Sequence, residues 1–153
     1  MKVKQYLPYT FFVLGVITLL APIIVYAGNS LSLWNTREPT DGGAPGQYTL
    51  EFTWNWNITN DGNNTITGYA DPDDARFKKR TGWPHPTIFD GDPASDSSSI
   101  SPGKSWVDHA KISTKQYLGV GNYYWQYDGW DISTNVGDSA SIHKGSYPDI
   151  NIY

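Results

Sequence analysis

Apolar and polar residues alternate along several stretches of this chain, and none of them shows the three-to-four spacing of an amphipathic helix. The clearest stretch runs from Tyr48 to Thr59. Tyr48, Leu50, Phe52, Trp54, Trp56 and Ile58 share one parity; Thr49, Glu51, Thr53, Asn55, Asn57 and Thr59 share the other. Successive side chains of a strand point to opposite faces, so this pattern predicts one long strand with an apolar and a polar side. A helix would scatter the same aromatics around its circumference. Asn60-Asp61-Gly62-Asn63-Asn64 then supplies turn residues, and the chain is expected to return through Thr65–Ala70 as a hairpin.

A second alternating stretch covers Asn122 to Thr134. Asp128-Gly129 at its centre is a favoured two-residue hairpin turn, with β-forming residues on both sides. A hairpin closed there would set Tyr127 opposite Trp130, Trp125 opposite Ile132 and Tyr123 opposite Thr134. Asn122, Tyr124, Gln126, Asp131 and Ser133 would take the other face.

Weaker strand patterns occur at Leu31–Asn35, Ser105–Ser113, Ser139–Lys144 and Ile150–Tyr153, separated by turn residues such as Ser101-Pro102-Gly103. Many short strands without helices predict an all-β fold, a small antiparallel β-sandwich. Residues 71–103 are rich in Asp, Pro and Ser, and they read as one long loop with at most a strand near Thr87–Phe89.

The first 27 residues change the picture. Lys2 and Lys4 precede an uncharged apolar run from Tyr9 to Leu20, and Pro22 and Val25-Tyr26-Ala27 follow. That order predicts a secretory signal peptide cut between Ala27 and Gly28. The alternative is an uncleaved segment that tethers the protein at the outer face of the membrane, because Tyr6–Ala27 has no charge and is long enough to span a bilayer. Both place the remainder outside the cytoplasm, and the membrane is involved only through this segment. Removing 27 of the 153 residues leaves a single domain, 28–153, of 126 residues with all seven tryptophans, no cysteine, nine basic and fifteen acidic residues. A net charge near −6 argues against nucleic acid as a partner. Without disulfides, stability must come from the aromatic core.

Candidate chemistry is sparse. There is no cysteine nucleophile and no G-x-S-x-G elbow, and Asp108 and His109, adjacent on a strand, point to opposite faces. No catalytic residues, cofactor or metal are therefore assigned, and the chain is not read as an enzyme. Asp71, Asp73, Asp74 and Asp90, Asp92, Asp96 could offer oxygens to calcium, but neither group matches an EF-hand loop, and solvated turn carboxylates account for them. His85, His109 and His143 lack a metal-binding spacing. Asn57-Ile58-Thr59 and Asn63-Asn64-Thr65 match the glycosylation acceptor pattern.

The run Arg76, Lys78, Lys79, Arg80 is the one concentrated positive charge. It reads either as a solvated face paired with the nearby aspartates or as a contact for phosphates or another anionic polymer. Trp54, Trp56, Trp125 and Trp130 fit core positions, whereas Trp83, Tyr124 and Tyr147 are candidates for exposed contact. The candidate binding residues are thus Arg76, Lys78, Lys79, Arg80, Trp83 and His85.

Thr53-Trp54-Asn55-Trp56, Tyr69, the region of His85, Ser101-Pro102-Gly103-Lys104-Ser105-Trp106 running into Ala110, and Gly121-Asn122-Tyr123-Tyr124-Trp125 together resemble the lactococcin 972 family of secreted bacteriocins. The resemblance covers Thr53–Trp125. It implies a cleaved signal peptide, a cysteine-free antiparallel β-sandwich, and killing of related bacteria by binding the cell-wall precursor lipid II. This chain continues beyond the Tyr-Tyr-Trp motif, where family members stop, and its middle loop is richer in Pro and Asp. The expected function is that of a secreted, bacteriocin-like antibacterial protein whose partner is lipid II or a glycan of the bacterial cell envelope. The alternative is a non-toxic extracellular module that binds carbohydrate or protein.

Overall fold

The computed structural model describes residues 28–153, so the signal segment 1–27 and the cut expected after Ala27 lie outside the described residues. Twelve strands follow one another among them: β1 (Ser30–Glu38), β2 (Gly46–Thr59), β3 (Ile66–Asp71), β4 (Ala75–Lys79), β5 (Thr87–Gly91), β6 (Asp96–Ile100), β7 (Ser105–Leu118), β8 (Gly121–Tyr127), β9 (Trp130–Thr134), β10 (Ser139–Ile142), β11 (Gly145–Ser146) and β12 (Ile150–Ile152). All strand pairings are antiparallel, and the architecture is the all-β sandwich that the alternation predicts.

One layer is a sheet in the order β1-β2-β7. Its centre, β2, buries Leu50, Phe52, Trp54, Trp56 and Ile58 on the inner side, as the pattern requires. The other layer consists of two half-sheets, ordered β10-β9-β3-β6 and β11-β8-β4-β5, with β12 also pairing with β8. The two orders correspond strand for strand. Each pair is one long strand of the layer, interrupted at the same level by residues 72–74, 92–95, 128–129 or 143–144. Proline explains two of these breaks, since Pro72 and Pro93 cannot donate to a ladder. At the third, a Cβ on Gly129 would sit 3.0 Å from the Ile142 carbonyl oxygen and 3.2 Å from the Lys144 nitrogen, so the close approach of the neighbouring strand requires glycine.

The fourteen residues of β2 span both half-sheets. Phe52 packs on Trp125 of β8, ring centroids 5.3 Å apart, and Trp56 packs edge-on against Trp130 of β9 at 6.3 Å. A single core thus runs across the break. One edge of the first layer, β7, places the charge of Asp108 on the inner parity and Lys111 and Lys115 on the outer, which opposes pairing with another chain.

Three expectations need correction. Asp128-Gly129 does not close a hairpin: β8 pairs with β4, β11 and β12, whereas β9 pairs with β3 and β10. The faces are nevertheless as expected, with Tyr123, Trp125, Trp130, Ile132 and Thr134 buried. The turn after β2 does form, but the chain crosses there to the other layer, so β3 does not return along β2. Buried Asn60 holds this crossing by donating from Nδ2 to the Ile100 and Asn64 carbonyls, both at 2.8 Å. Residues 71–103 are not one long loop, because they contain β4, β5 and β6.

Candidate functional site

Residues 75–91 form a hairpin of β4 and β5 whose connection stands above the outer face of their half-sheet. Register and parity decide which basic residues meet. Arg76, Lys78 and Arg80 share the outer parity, and Lys78 lies directly opposite Tyr124 of β8. Lys79 faces inward, with its Nζ 5.4 Å from the Tyr123 ring centre. Arg76 is engaged at the break, where its guanidinium pairs with Asp74 and, at 2.9 Å, with Asp128. Desolvation lowers the Arg76 pKa, but the two carboxylates outweigh it and raise the pKa overall. Of the six candidate binding residues, Lys79 is thus turned away and Arg76 is held by carboxylates at the break.

The remaining four line one pocket of about 460 Å³, together with Tyr124, Gln126 and Lys144. The connection is tied at its base by Lys79 N donating to the Pro86 carbonyl at 3.1 Å and Arg80 N donating to the Asn122 carbonyl at 2.8 Å. Gly82 adopts φ 67°, the left-handed region that glycine enters without strain. Trp83 then projects into solvent, 88% exposed. Its ring stands edge-on to His85 at 5.6 Å, and His85 stands edge-on to Tyr124 at 5.7 Å. His85 Nδ1 lies 2.9 Å from the Tyr124 hydroxyl, which anchors the connection to the sheet. The Arg80 guanidinium covers the Tyr124 ring at 4.5 Å and is held by Asp149 at 2.6 Å, a hydrogen bond that raises the Arg80 pKa.

Three cations therefore surround this pocket. Among the described residues, Arg80 is in an ion pair, and Lys78 and Lys144 are in none. Two free ammonium groups beside an exposed indole can take an anionic group and stack on a ring at the same time. Lys144, Gln126 and Asp149 were not identifiable as site residues from the chain, because a contact more than forty residues away leaves no local pattern. Tyr124 was, since its parity sets it apart from Tyr123 and Trp125, but it is not the exposed contact expected: with Arg80 over its ring and His85 against its edge it is buried, 8% exposed. Tyr147, the third aromatic contact candidate, lies instead under Arg37, 3.8 Å from its ring centre.

The break carries the opposite charge. Asp73, Asp74 and Asp92 bring carboxylate oxygens within 4.8 Å of one another, joining the two acidic groups that are separate in sequence. Asp71 and Asp131 face each other across β3 and β9. Such oxygens suit a hard cation, as do many exposed acidic groups that hold none. Asp108 and His109 remain on opposite faces, with His109 Nδ1 3.9 Å from Asp108 Oδ1.

Fold and site together define an all-β sandwich domain with a cationic, aromatic pocket on one outer face. No protein-family model matches the chain, and no curated protein does. Among solved structures, a Bordetella pertussis protein assigned as ApaA overlaps 82% of this chain and 94% of its own, with 11% identity and a TM-score of 0.34. β-Glucosidases from Erythrobacter marinus (7% identity, TM-score 0.34) and Listeria innocua (8%, 0.29) overlap 82% and 81% of this chain. This chain spans only 16% of either glucosidase. Likenesses this distant carry no functional argument.

Proposed function

We propose that this chain is a secreted, bacteriocin-like antibacterial protein that acts by binding an anionic, sugar-bearing component of the bacterial cell envelope. The pocket of Lys78, Arg80, Trp83, His85 and Lys144 is the contact. The observation that carries the reading is the pairing of two cations without carboxylate partners, Lys78 and Lys144, with the exposed indole of Trp83. Charge-assisted hydrogen bonds would hold phosphate or carboxylate, and the indole would cover the apolar face of a sugar. Lipid II, which the lactococcin 972 resemblance implies, is the leading target.

The test measures binding of the purified protein to isolated envelopes and to lipid II vesicles, alongside growth inhibition with added lipid II as antagonist. The double variant Lys78→Ala/Lys144→Ala should weaken binding by about tenfold to a hundredfold at low ionic strength, with the difference shrinking as salt rises. Unchanged binding of this variant at low salt removes the pocket from the mechanism. Envelope binding without inhibition of any related strain leaves the non-toxic extracellular module.

A further inference from the structure

The opposite outer face of the sandwich has a different chemistry. On the solvent side of the β1-β2-β7 sheet, Trp34, Asn55 and His109 are direct neighbours in register and form one row across three strands. Thr36 and Thr53 lie on one side of this row, and Ser32 and Asn57 on the other. The outer positions of β1 beside Trp34 are serine and threonine, yet the indole stands among them 45% exposed. Lys111, the nearest cation, is neutralised by Glu51 at 3.4 Å. The Asn55 amide nitrogen reaches three acceptors, Trp34 O, Thr36 Oγ1 and Thr53 O, each only at 3.4 Å. It is therefore weakly engaged within the sheet and suited to a stronger partner.

We propose that this face is a second binding site, for a neutral polysaccharide. The C–H face of a pyranose stacks on Trp34, and its hydroxyls exchange hydrogen bonds with Asn55, His109 and the threonine hydroxyl of Thr36. Strands roughly 4.8 Å apart make the three-residue row about 10 Å long, a length that matches two linked sugar rings. The row lies on an open sheet face, which suits an extended chain rather than a small molecule enclosed in a cleft. Its complementarity is uncharged, unlike that of the Lys78–Lys144 pocket, so the two sites take different ligands. This inference does not depend on the pocket's assignment.

Affinity electrophoresis of the purified chain through gels containing hydroxyethyl cellulose, laminarin or glycol chitin tests it. At least one polymer should retard the protein, with little dependence on salt. Trp34→Ala should weaken that retardation by about tenfold, while Trp83→Ala leaves it unchanged. Asn55→Ala and His109→Ala should each weaken it by about threefold, and these two variants decide the matter if Trp34→Ala fails to fold by circular dichroism. Failure of all three polymers to retard the protein overturns the proposal. So does retardation that Trp34→Ala leaves intact, or that Trp83→Ala abolishes.

Discussion

Phe52 offers the sharpest test of how the two half-sheets are joined. Its side chain is fully buried, and its ring lies 4.8 Å from Trp54, 5.3 Å from Trp125, 5.9 Å from Tyr127 and 6.2 Å from Tyr147. Truncation to alanine removes the ring and leaves a cavity walled by large aromatics that cannot easily collapse. The expected loss is at the usual level for Phe→Ala in a core, about 3–5 kcal/mol. With a urea dependence of about 1.5 kcal/mol per molar, the midpoint should fall by about 2–3 M. The lesion sits against β8, in one half-sheet. Because β2 runs under both, the other half should lose protection equally. Urea unfolding followed by tryptophan fluorescence and far-UV circular dichroism should remain a single transition. Hydrogen exchange of β3 and β9 should accelerate to the same extent as that of β4 and β8. Two separated transitions, or an exchange change confined to β4 and β8, would refute the single-core account.

Three further outcomes follow from local geometry. Asp71 and Asp131 are cross-strand neighbours of like charge, so Asp71→Asn should stabilise the fold by about 0.2–1 kcal/mol in low-salt urea titrations, and the gain should vanish near 1 M salt. Gly129→Ala should cost about 1–3 kcal/mol, because its Cβ would press on the Ile142 carbonyl and the Lys144 nitrogen; a melting temperature equal to wild type contradicts the close approach. Burial raises the Tyr147 phenol above its ordinary 10.0, with Tyr127 adding and Arg37 and Asn35 opposing. A raised folded-state value means that the folded form holds its proton longer than the unfolded form. This stability is complete below pH 10 and is lost as pH rises through the folded value. Thermal melts from pH 8 to 11.5 should show that decline, and Tyr147→Phe should flatten it.

Secondary structure and side-chain facing are local properties, and alternation in the chain determined both. The buried face of β2 and the inner residues of β8 and β9 follow from parity alone, as does the placing of Tyr124 away from the core. Within 71–103 only β5 left a trace in the chain, near Thr87–Phe89; β4 and β6 have five residues each, and Ser97-Ser98-Ser99 in an edge strand carries almost no apolar signal. Pairing is a different matter. Asp128-Gly129 suits a two-residue hairpin and equally suits a bend within one long strand, and only the partners available in three dimensions separate the two. Here β3 and β4 lie ready beside β9 and β8 in the same order, and both segments pair outward with them rather than with each other. The same non-local assembly decided the pocket. The basic run and Trp83 were legible in the chain. Parity in the folded sheet turned Lys79 inward, carboxylates at the break captured Arg76, and Lys144 arrived from the break between β10 and β11, which the sequence could not place beside them.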